Sequence, residues 1–377
     1  MIIGVPKEVM CDESRVSLTP AQVRSLVDAG HRVLIQEEAG SGSGIGDEAF
    51  TRAGAATVLD ARRLYGEADL VVKVKQPLPE EYDLLQPGQI LFAYLHLAAE
   101  PELTDILRER RVTAVAFETI QAPDGSLPIL APMSEVAGRL APQIGASHLE
   151  KHAGGRGVLL AGIPGVPPAQ VVILGGGVVG TNAARIALGM GASVTVLDIL
   201  PERLRRVDEL FGGRVVTLIS NPYNVEAAAL RADLLIGAVL VPGARAPILV
   251  SEDIVRCMKN GAVIVDVAVD QGGTIATVDR LTTHSNPTYT VHGVVHYAVP
   301  NIPGAVPRTS TFGLAAALYP FLALLAGAGL DEAAQRSQGV AGGINVYRGE
   351  VCHQAVAGAL HLPCIPFREV LGREARA

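Results

Sequence analysis

The sequence predicts an α/β protein built from two doubly wound domains, and three observations carry that prediction. Short runs of Val, Ile and Leu alternate with helix-like segments twice along the chain, once before residue 130 and again from Val171 onward. A glycine turn, "GGGVVG", opens the second series between a strand and a helix. The length of 377 residues exceeds one ordinary domain and suffices for two, each with its own core.

Composition agrees and narrows the class. Hydrophobic residues make up 49% and charged residues 18%, the balance of a packed globular chain rather than a disordered one. Tryptophan is absent and aromatics are 4%, so aliphatic side chains must build the cores. The net charge of −7, with no basic stripe interleaved with aromatics, argues against nucleic acid as a partner. Cys11, Cys257, Cys352 and Cys364 are far apart and form no CxxC pair, which reads as free thiols in a reducing compartment. The opening "MIIGVPKEVM" reads as a strand and turn, without the apolar run of a secretory leader. One segment has the hydropathy of a membrane span, "FGLAAALYPFLALLAGAG" at 312–329. It falls short of the ~20 apolar residues a span needs, carries Pro320 and is rich in Ala and Gly, so a buried or subunit-interface helix is expected and no membrane partner.

Taken in order, "IIGVP" is a short apolar strand. "TPAQVRSLVDAG" is a helix with Thr19 as N-cap, Pro20 at its first position and Gly30 past its end. Then follow "HRVLIQ" (strand), "DEAFTRAG" (helix), "ADLVVKVK" (strand), "QILFAYLH" (strand), "PELTDILRER" (helix) and "VTAVAFE" (strand). The second series has strands "VVIL", "SVTVLD", "RVVTLIS", "DLLIGAV", "AVIVDVAVD" and "TYTVHG", with helices between most of them. Among these helices, "SEDIVRCMKNG" has Ser251 as N-cap and Gly261 at its stop. Six such strands fit a doubly wound dinucleotide (Rossmann) fold. After "VPNIPGAVPRTS" the chain turns helical again.

The glycine turn has the spacing G-x-G-x-x-G at Gly175, Gly177 and Gly180. The first glycine permits a tight turn, the second lets a pyrophosphate approach the backbone, and the third lets helix and strand pack closely. A second strand then ends in Asp198, near the ~20-residue offset of a ribose-binding acid. A carboxylate there accepts from a ribose diol and repels a 2′-phosphate, which favours NAD over NADP. Arg203, Arg205 and Arg206 follow and soften that repulsion. By contrast "GSGSGIG" at 40–46 has no following Gly-Lys-Ser/Thr and reads as a flexible loop. His292 and His296 are four apart but lie in a strand-like segment without further ligands, so structural roles are expected and no metal.

In open α/β sheets ligands gather beyond the carboxyl ends of the strands. There the sequence places Lys75, His96, Glu118 and Asp270, and the loop after the first strand carries Arg15. Arg15 can clamp a carboxylate through two parallel hydrogen bonds, and Lys75 can add a point charge to a carboxylate or carbonyl oxygen. His96 can move a proton near neutrality, and Asp270 can orient the chemistry or stabilise a developing cation. Beside nicotinamide, these groups describe hydride transfer at a carbon bearing an amine or hydroxyl next to a carboxylate, in a cleft between two domains.

The blocks "GVPKEVMCDESRVSLTP", "VKVKQP", "FAYLHLA", "GGRGVLLAGIPGVPPAQVVILGGGVVGTNAA", "DVAVDQGG" and "VPNIPGAVPRTST" resemble those of the bacterial L-alanine dehydrogenase family over essentially the whole chain. The resemblance implies NAD-dependent deamination of L-alanine to pyruvate and ammonia, and its reverse, by a cytoplasmic homohexamer. It implies Arg15 and Lys75 as substrate-binding residues and His96 and Asp270 as the acid/base pair. It implies cofactor contacts from Ser134, the glycine turn with Val178 and Val179, Asp198, Arg203, Ser220, Val239 and Leu240. Val267, Ala268, Val269, Asp270, Val299, Pro300, Asn301 and Ile302 complete that set. It also implies a discontinuous, flavodoxin-like substrate domain, 1–130 plus 306–377, with the Rossmann NAD domain at 131–305 inserted into it. Asp12 stands where the family often has Asn, which bears on how the Arg15 loop is held. Rival readings are the NAD-binding subunit of a proton-translocating transhydrogenase, a non-catalytic NAD-binding protein, and a dehydrogenase for another small amino or keto acid.

Overall fold

A computed structural model describes residues 1–239, 246–269 and 272–374. The chain divides into two compact units, Met1–Met133 with Val306–Ala377, and Ser134–Ala305. Each unit is built on one predominantly parallel sheet.

The first unit opens with β1 (Ile2–Val5), β2 (Arg32–Gln36), β3 (Ala56–Val58), β4 (Leu70–Val72), β5 (Ile90–Ala93) and β6 (Thr113–Ala116). These strands pair in parallel in the order β3-β2-β1-β4-β5-β6. Within it, β2-β1-β4-β5-β6 is the flavodoxin-type order, with β3 added at the edge. Every residue of β4, β5 and β6 is buried, which is why these strands read as unbroken apolar runs rather than alternating ones. Between β1 and β2 lies the helix Pro20–Asp28. Thr19 caps it in reciprocal contact with Gln22, Pro20 sits at its first position, and Gly30 follows at φ 87°.

The apolar run expected to continue to Lys75 leaves regular strand geometry at Val72. Pairing persists through Lys73 N to Phe92 O (3.1 Å) and Tyr94 N to Val74 O (3.1 Å). Lys73 is fully buried, and its ammonium pairs with Glu81 and lies 3.7 Å from Glu8. Glu81 also accepts from the Tyr65 hydroxyl (2.9 Å) and from the amide of Leu78 (3.0 Å). A buried ammonium is stable only with such partners.

The second unit contains β7 (Gln170–Leu174), β8 (Ser193–Asp198), β9 (Val216–Ile219), β10 (Leu234–Gly237), β11 (Val263–Asp266), β12 (Thr288–Val291) and β13 (Val294–Tyr297). Their order is β9-β8-β7-β10-β11-β13-β12, the doubly wound dinucleotide order closed by an antiparallel edge strand. The sixth parallel strand is therefore β13, "VVHY", and not the expected "TYTVHG". Composition merges the two because they form one apolar stretch. The two-residue turn His292-Gly293, at φ 51° and 76°, folds that stretch into a hairpin.

At Val306 the chain returns to the first unit. The helix predicted at 312–329 runs from Pro307 to Ala328 with Pro320 inside it. Although long and apolar enough to cross a membrane, it buries Leu314, Leu318, Leu322 and Leu325 as one stripe against its own unit. Then β14 (Ile344–Tyr347) joins β6 antiparallel, and β15 (Glu350–Val351) pairs with β14. No strand was expected in this segment from the sequence. The "GSGSGIG" stretch is a packed turn rather than a flexible loop. Its residues Ser41–Ser43 form one 3₁₀ turn, and Ser43 Oγ donates to Ser14 O (2.9 Å) while bonding Thr311 (2.8 Å).

Lys73→Met leaves two buried carboxylates without their ammonium and should destabilise the protein by about 3–5 kcal/mol. Urea unfolding midpoints of the variant and wild type measure this.

Candidate active site

In the first unit the site grows from the loop after β1. Glu13 N donates to Met10 O (3.1 Å), closing a turn with Asp12 at φ 60°. Asp tolerates the left-handed region much as Asn does, so Asp12 keeps this turn. The turn delivers Glu13 to Arg15. Arg15 Nε donates to Glu13 Oε1 (2.7 Å), Nη2 to Oε2 (2.5 Å), and the Arg15 amide to Oε1 (3.0 Å). Nη1 reaches the sulfur of Met133 (3.3 Å). Arg15 is 2% exposed, so its plane is fixed by a buried two-point ion pair.

Lys75 is half-buried, and the residue before it is held from two sides. Val74 N donates to Glu8 Oε1 (2.6 Å), and Val74 O accepts from Tyr94 N. His96 follows β5 and is exposed at φ 50°, a left-handed conformation costing about 1–2 kcal/mol for such a residue. Glu118, after β6, offsets this by accepting the amides of His96 (2.7 Å) and Leu95 (3.3 Å). Glu118 thus shapes the His96 loop rather than facing outward as a free acid.

Tyr94 is a site residue the sequence reading did not single out. Its ring stacks near that of His96 (6.2 Å, 15°), and its hydroxyl donates to Ile129 O (2.8 Å). Burial pushes that phenol far above its usual range; Arg15 opposes the shift and Glu118 adds to it. The signal was present, a Tyr inside the buried "ILFAYLH".

In the second unit the described cofactor positions read from the sequence fall on or beside the glycine turn, at or beyond the carboxyl ends of parallel strands, or in the helix Leu130–His148. Gly175 follows β7 at φ 106°, and a side chain there would strike Ala238 O at 2.6 Å. Gly177 caps the helix Val178–Gly189 and faces open space, which leaves room for a phosphate against the free amides. A Cβ on Gly180 would lie 1.8 Å from Gly175 O, so no other residue fits. Val178 is exposed on that helix, and Val179 O packs against Gly138 in the helix Leu130–His148, which also carries Ser134.

Asp198 ends β8 and is buried. Its Oδ2 accepts from Gly176 N (2.7 Å) and its Oδ1 from Leu200 N (2.8 Å), while Arg203 stands 3.4 Å away. The acid is therefore held beside the glycine turn, where a ribose diol of a dinucleotide would meet it. Ser220 N donates to Asp198 O (2.9 Å). Val239 follows β10 beside Gly175, and Val267 follows β11 with its amide on Gly237 O (2.9 Å). Beyond β13, Val299 is buried, Pro300 half-buried, Asn301 takes φ 60° and Ile302 begins a 3₁₀ turn. Leu240 and Asp270 lie outside the described residues.

The loop that leads toward Asp270 has an organiser that sequence alone did not reveal. Asp266, fully buried at the end of β11, accepts from Ala268 N (3.0 Å) and Thr274 N (2.7 Å). Side chains on Gly237 or Gly273 would collide with this carboxylate, at 2.6 and 2.9 Å. Burial pushes the Asp266 carboxyl up to about 6, against the opposing pull of those amides. His296 is structural: Nδ1 donates to Val294 O (2.9 Å), Nε2 bonds Thr277 (2.7 Å), and burial lowers its pKa. His292 pairs with Glu252 (2.8 Å). The four cysteines are free thiols.

The folded state holds the Asp266 proton more tightly than the unfolded chain does. Stability should therefore fall as pH rises from about 4 to about 6, by roughly 3 kcal/mol from this group, and level off above. Asp266→Asn should flatten that slope in urea melts taken across the range. Glu118→Ala should cost about 1–3 kcal/mol by stranding two amides, and Glu118→Gln, which keeps an acceptor, should recover most of it.

Family models for the N-terminal and C-terminal domains of alanine dehydrogenase/PNT match residues 4–137 and 141–354. The alanine dehydrogenase of Methanococcus maripaludis is 53% identical over 371 residues, covering 98% of this chain and 100% of that protein. Alanine dehydrogenase 2 of Staphylococcus aureus is 52% identical with the same coverage. A solved L-alanine dehydrogenase structure superposes with a TM-score of 0.93 at 53% identity, over 96% of this chain and 99% of that one. A transhydrogenase from Sinorhizobium meliloti shares the fold at a TM-score of 0.80 and 24% identity, over 94% of this chain and 100% of that one.

Proposed function

The chain belongs to the alanine dehydrogenase/PNT family, and from that premise we propose that it catalyses the reversible, NAD-dependent oxidative deamination of L-alanine to pyruvate and ammonia. The observation that carries this reading is a relationship to alanine dehydrogenases running the length of both chains. The enzyme is an oxidoreductase that uses a nicotinamide cofactor.

The first unit, Met1–Met133 with Val306–Ala377, binds the substrate, and the second, Ser134–Ala305, binds the nucleotide. Arg15, oriented by Glu13, receives the carboxylate of alanine or pyruvate, and Lys75 adds positive charge at the oxygen of the keto acid. A nicotinamide cofactor, which the glycine turn Gly175–Gly180 and Asp198 would hold, would supply reversible hydride transfer at the α-carbon. His96 and Asp270 move the protons: they take one from the alanine ammonium, freeing the nitrogen lone pair, and activate the water that hydrolyses the imine. His96 is suited to this because Glu118 fixes its backbone while its ring stays exposed. Asp198 favours NAD over NADP, since its buried carboxylate accepts from a diol and repels a phosphate. The protein works as a cytoplasmic homohexamer, in keeping with four unpaired thiols and a long apolar helix whose Phe312 remains exposed.

A panel of amino acids with NAD and NADP, followed by absorbance of the reduced cofactor, should show turnover with L-alanine and NAD above all other pairs. His96→Ala and Asp270→Ala should each lower kcat by about 10²–10⁴-fold, with NAD affinity kept within about threefold. Unchanged turnover in both variants rejects the assignment.

A further inference from the structure

Two arginines of the first unit take a backbone conformation that suits glycine or asparagine. Arg111, at φ 54°, follows the helix Pro101–Glu109, and Arg348, at φ 53°, opens the two-residue turn Arg348-Gly349 between β14 and β15. They are the only arginines with positive φ among the described residues. Local chemistry asks for neither: the position past a helix end favours Gly or Asn, and a hairpin turn with both φ values positive favours Asn-Gly. The two turns are tied together by Arg108, whose carbonyl accepts from Arg111 N (3.1 Å) and whose Nε donates to Gly349 O (3.2 Å). Strained residues of this kind gather at binding sites, and these two line one cavity.

That cavity, of about 350 Å³, opens at the amino ends of β5 and β6. It is therefore at the opposite edge of the sheet from Lys75, His96 and Glu118, which lie beyond the carboxyl ends. Its volume suits a small metabolite, since such pockets begin near ~300 Å³. Ile90, Thr113 and Tyr347 form a buried floor, and Arg111, Asp331 and Arg348 stand exposed around it. Arg111 and Asp331 line the same space yet form no ion pair with each other or with any other described residue. The Arg348 guanidinium lies 5.0 Å from the centre of the Tyr347 ring. Burial raises the pKa of the Tyr347 phenol, Asp331 adds to the rise and Arg348 opposes it, so both charges act at the cavity floor.

We propose that this cavity is a second small-molecule site, separate from the candidate active site, and that it takes a dicarboxylic α-amino acid, glutamate or aspartate. Arg111 and Arg348 receive the two carboxylates, and Asp331 receives the ammonium. The charged groups of the lining are two positive and one negative, and those of the ligand are the reverse. A neutral amino acid leaves one arginine without a carboxylate. A diacid without the amine sets Asp331 against negative charge alone. The strain of two left-handed arginines is retained because asparagine or glycine in their place would supply no cation.

Calorimetric titration of the full-length protein with L-glutamate and L-aspartate tests this, beside L-glutamine, glutarate, succinate and inorganic phosphate. At least one acidic amino acid should bind saturably, about tenfold or more tighter than L-glutamine or the diacids, and pyruvate should not displace it. Arg111→Asn and Arg348→Asn suit the left-handed turns, so Tm should hold or rise. Each should nevertheless weaken binding about tenfold or more and leave alanine oxidation within about twofold of wild type. Asp331→Asn should erase the preference for the amino acid over its diacid. No saturable binding of either acidic amino acid, displacement by pyruvate, or phosphate binding as tightly overturns the proposal. So does binding that survives in both arginine variants. Should the variants fail to fold, the selectivity of the wild type over glutarate, succinate and L-glutamine, with pyruvate present, decides: equal affinities reject the site.

Discussion

Carboxylates, most of them buried, that accept backbone N–H groups hold the loops on which this protein's candidate chemistry depends. Glu8 takes the amide of Val74 next to Lys75, and Glu118 takes those of Leu95 and His96. Asp198 takes Gly176 and Leu200, and Asp266 takes Ala268 and Thr274. Glu13 holds both the amide and the guanidinium of Arg15. A parallel sheet satisfies amides along its strands but leaves those beyond its carboxyl ends without partners. Those ends are also where ligands bind, so the same amides must be ordered without being exposed to water. A charge-assisted bond to a carboxylate, worth about 1.5–3 kcal/mol, does this from a side chain fixed elsewhere in the unit.

This device has a cost that the neighbouring residues carry. Each buried carboxylate needs compensation, and the protein supplies it in different ways. Glu13 has Arg15, and Glu81 has Lys73 and the Tyr65 hydroxyl. Asp266 has amides alone and is correspondingly shifted toward the neutral form. Glu8 has least, one amide and a distant ammonium already engaged. Paired acids stay charged and orient other groups, whereas burial holds the least compensated ones toward the neutral form.

Much of the fold was legible because it is written in local period and local chemistry. Unbroken apolar runs marked β1, β2, β5 and β6, since burial on both faces removes any need for polar alternation. Thr19-Pro20 and Ser251 marked helix starts through bonds made within one turn. The glycine spacing at 175–180 was legible because the motif lies within one strand–turn–helix, where Gly180 answers the close approach of Gly175 O. What sequence left open were pairings whose partners lie far along the chain. "TYTVHGVVHY" has one composition and two strand directions, decided by the backbone of His292-Gly293. "INVY" became a strand only because β6 offers it an edge.

Residue types and spacing by themselves determined the α/β class, the two series of strands, the nucleotide turn and the charged groups suited to amino-acid chemistry. They could do so because each depends on contacts a few residues long, which period and capping record directly. Tertiary structure alone decided which acids are structural, that Lys73 is buried, that Tyr94 joins Arg15 and His96, and that Glu8 keeps an unmet oxygen. Those outcomes turn on desolvation, and desolvation is set by what packs around a group in space: Glu8 meets Val74 across 66 residues, and Glu118 meets His96 across 22.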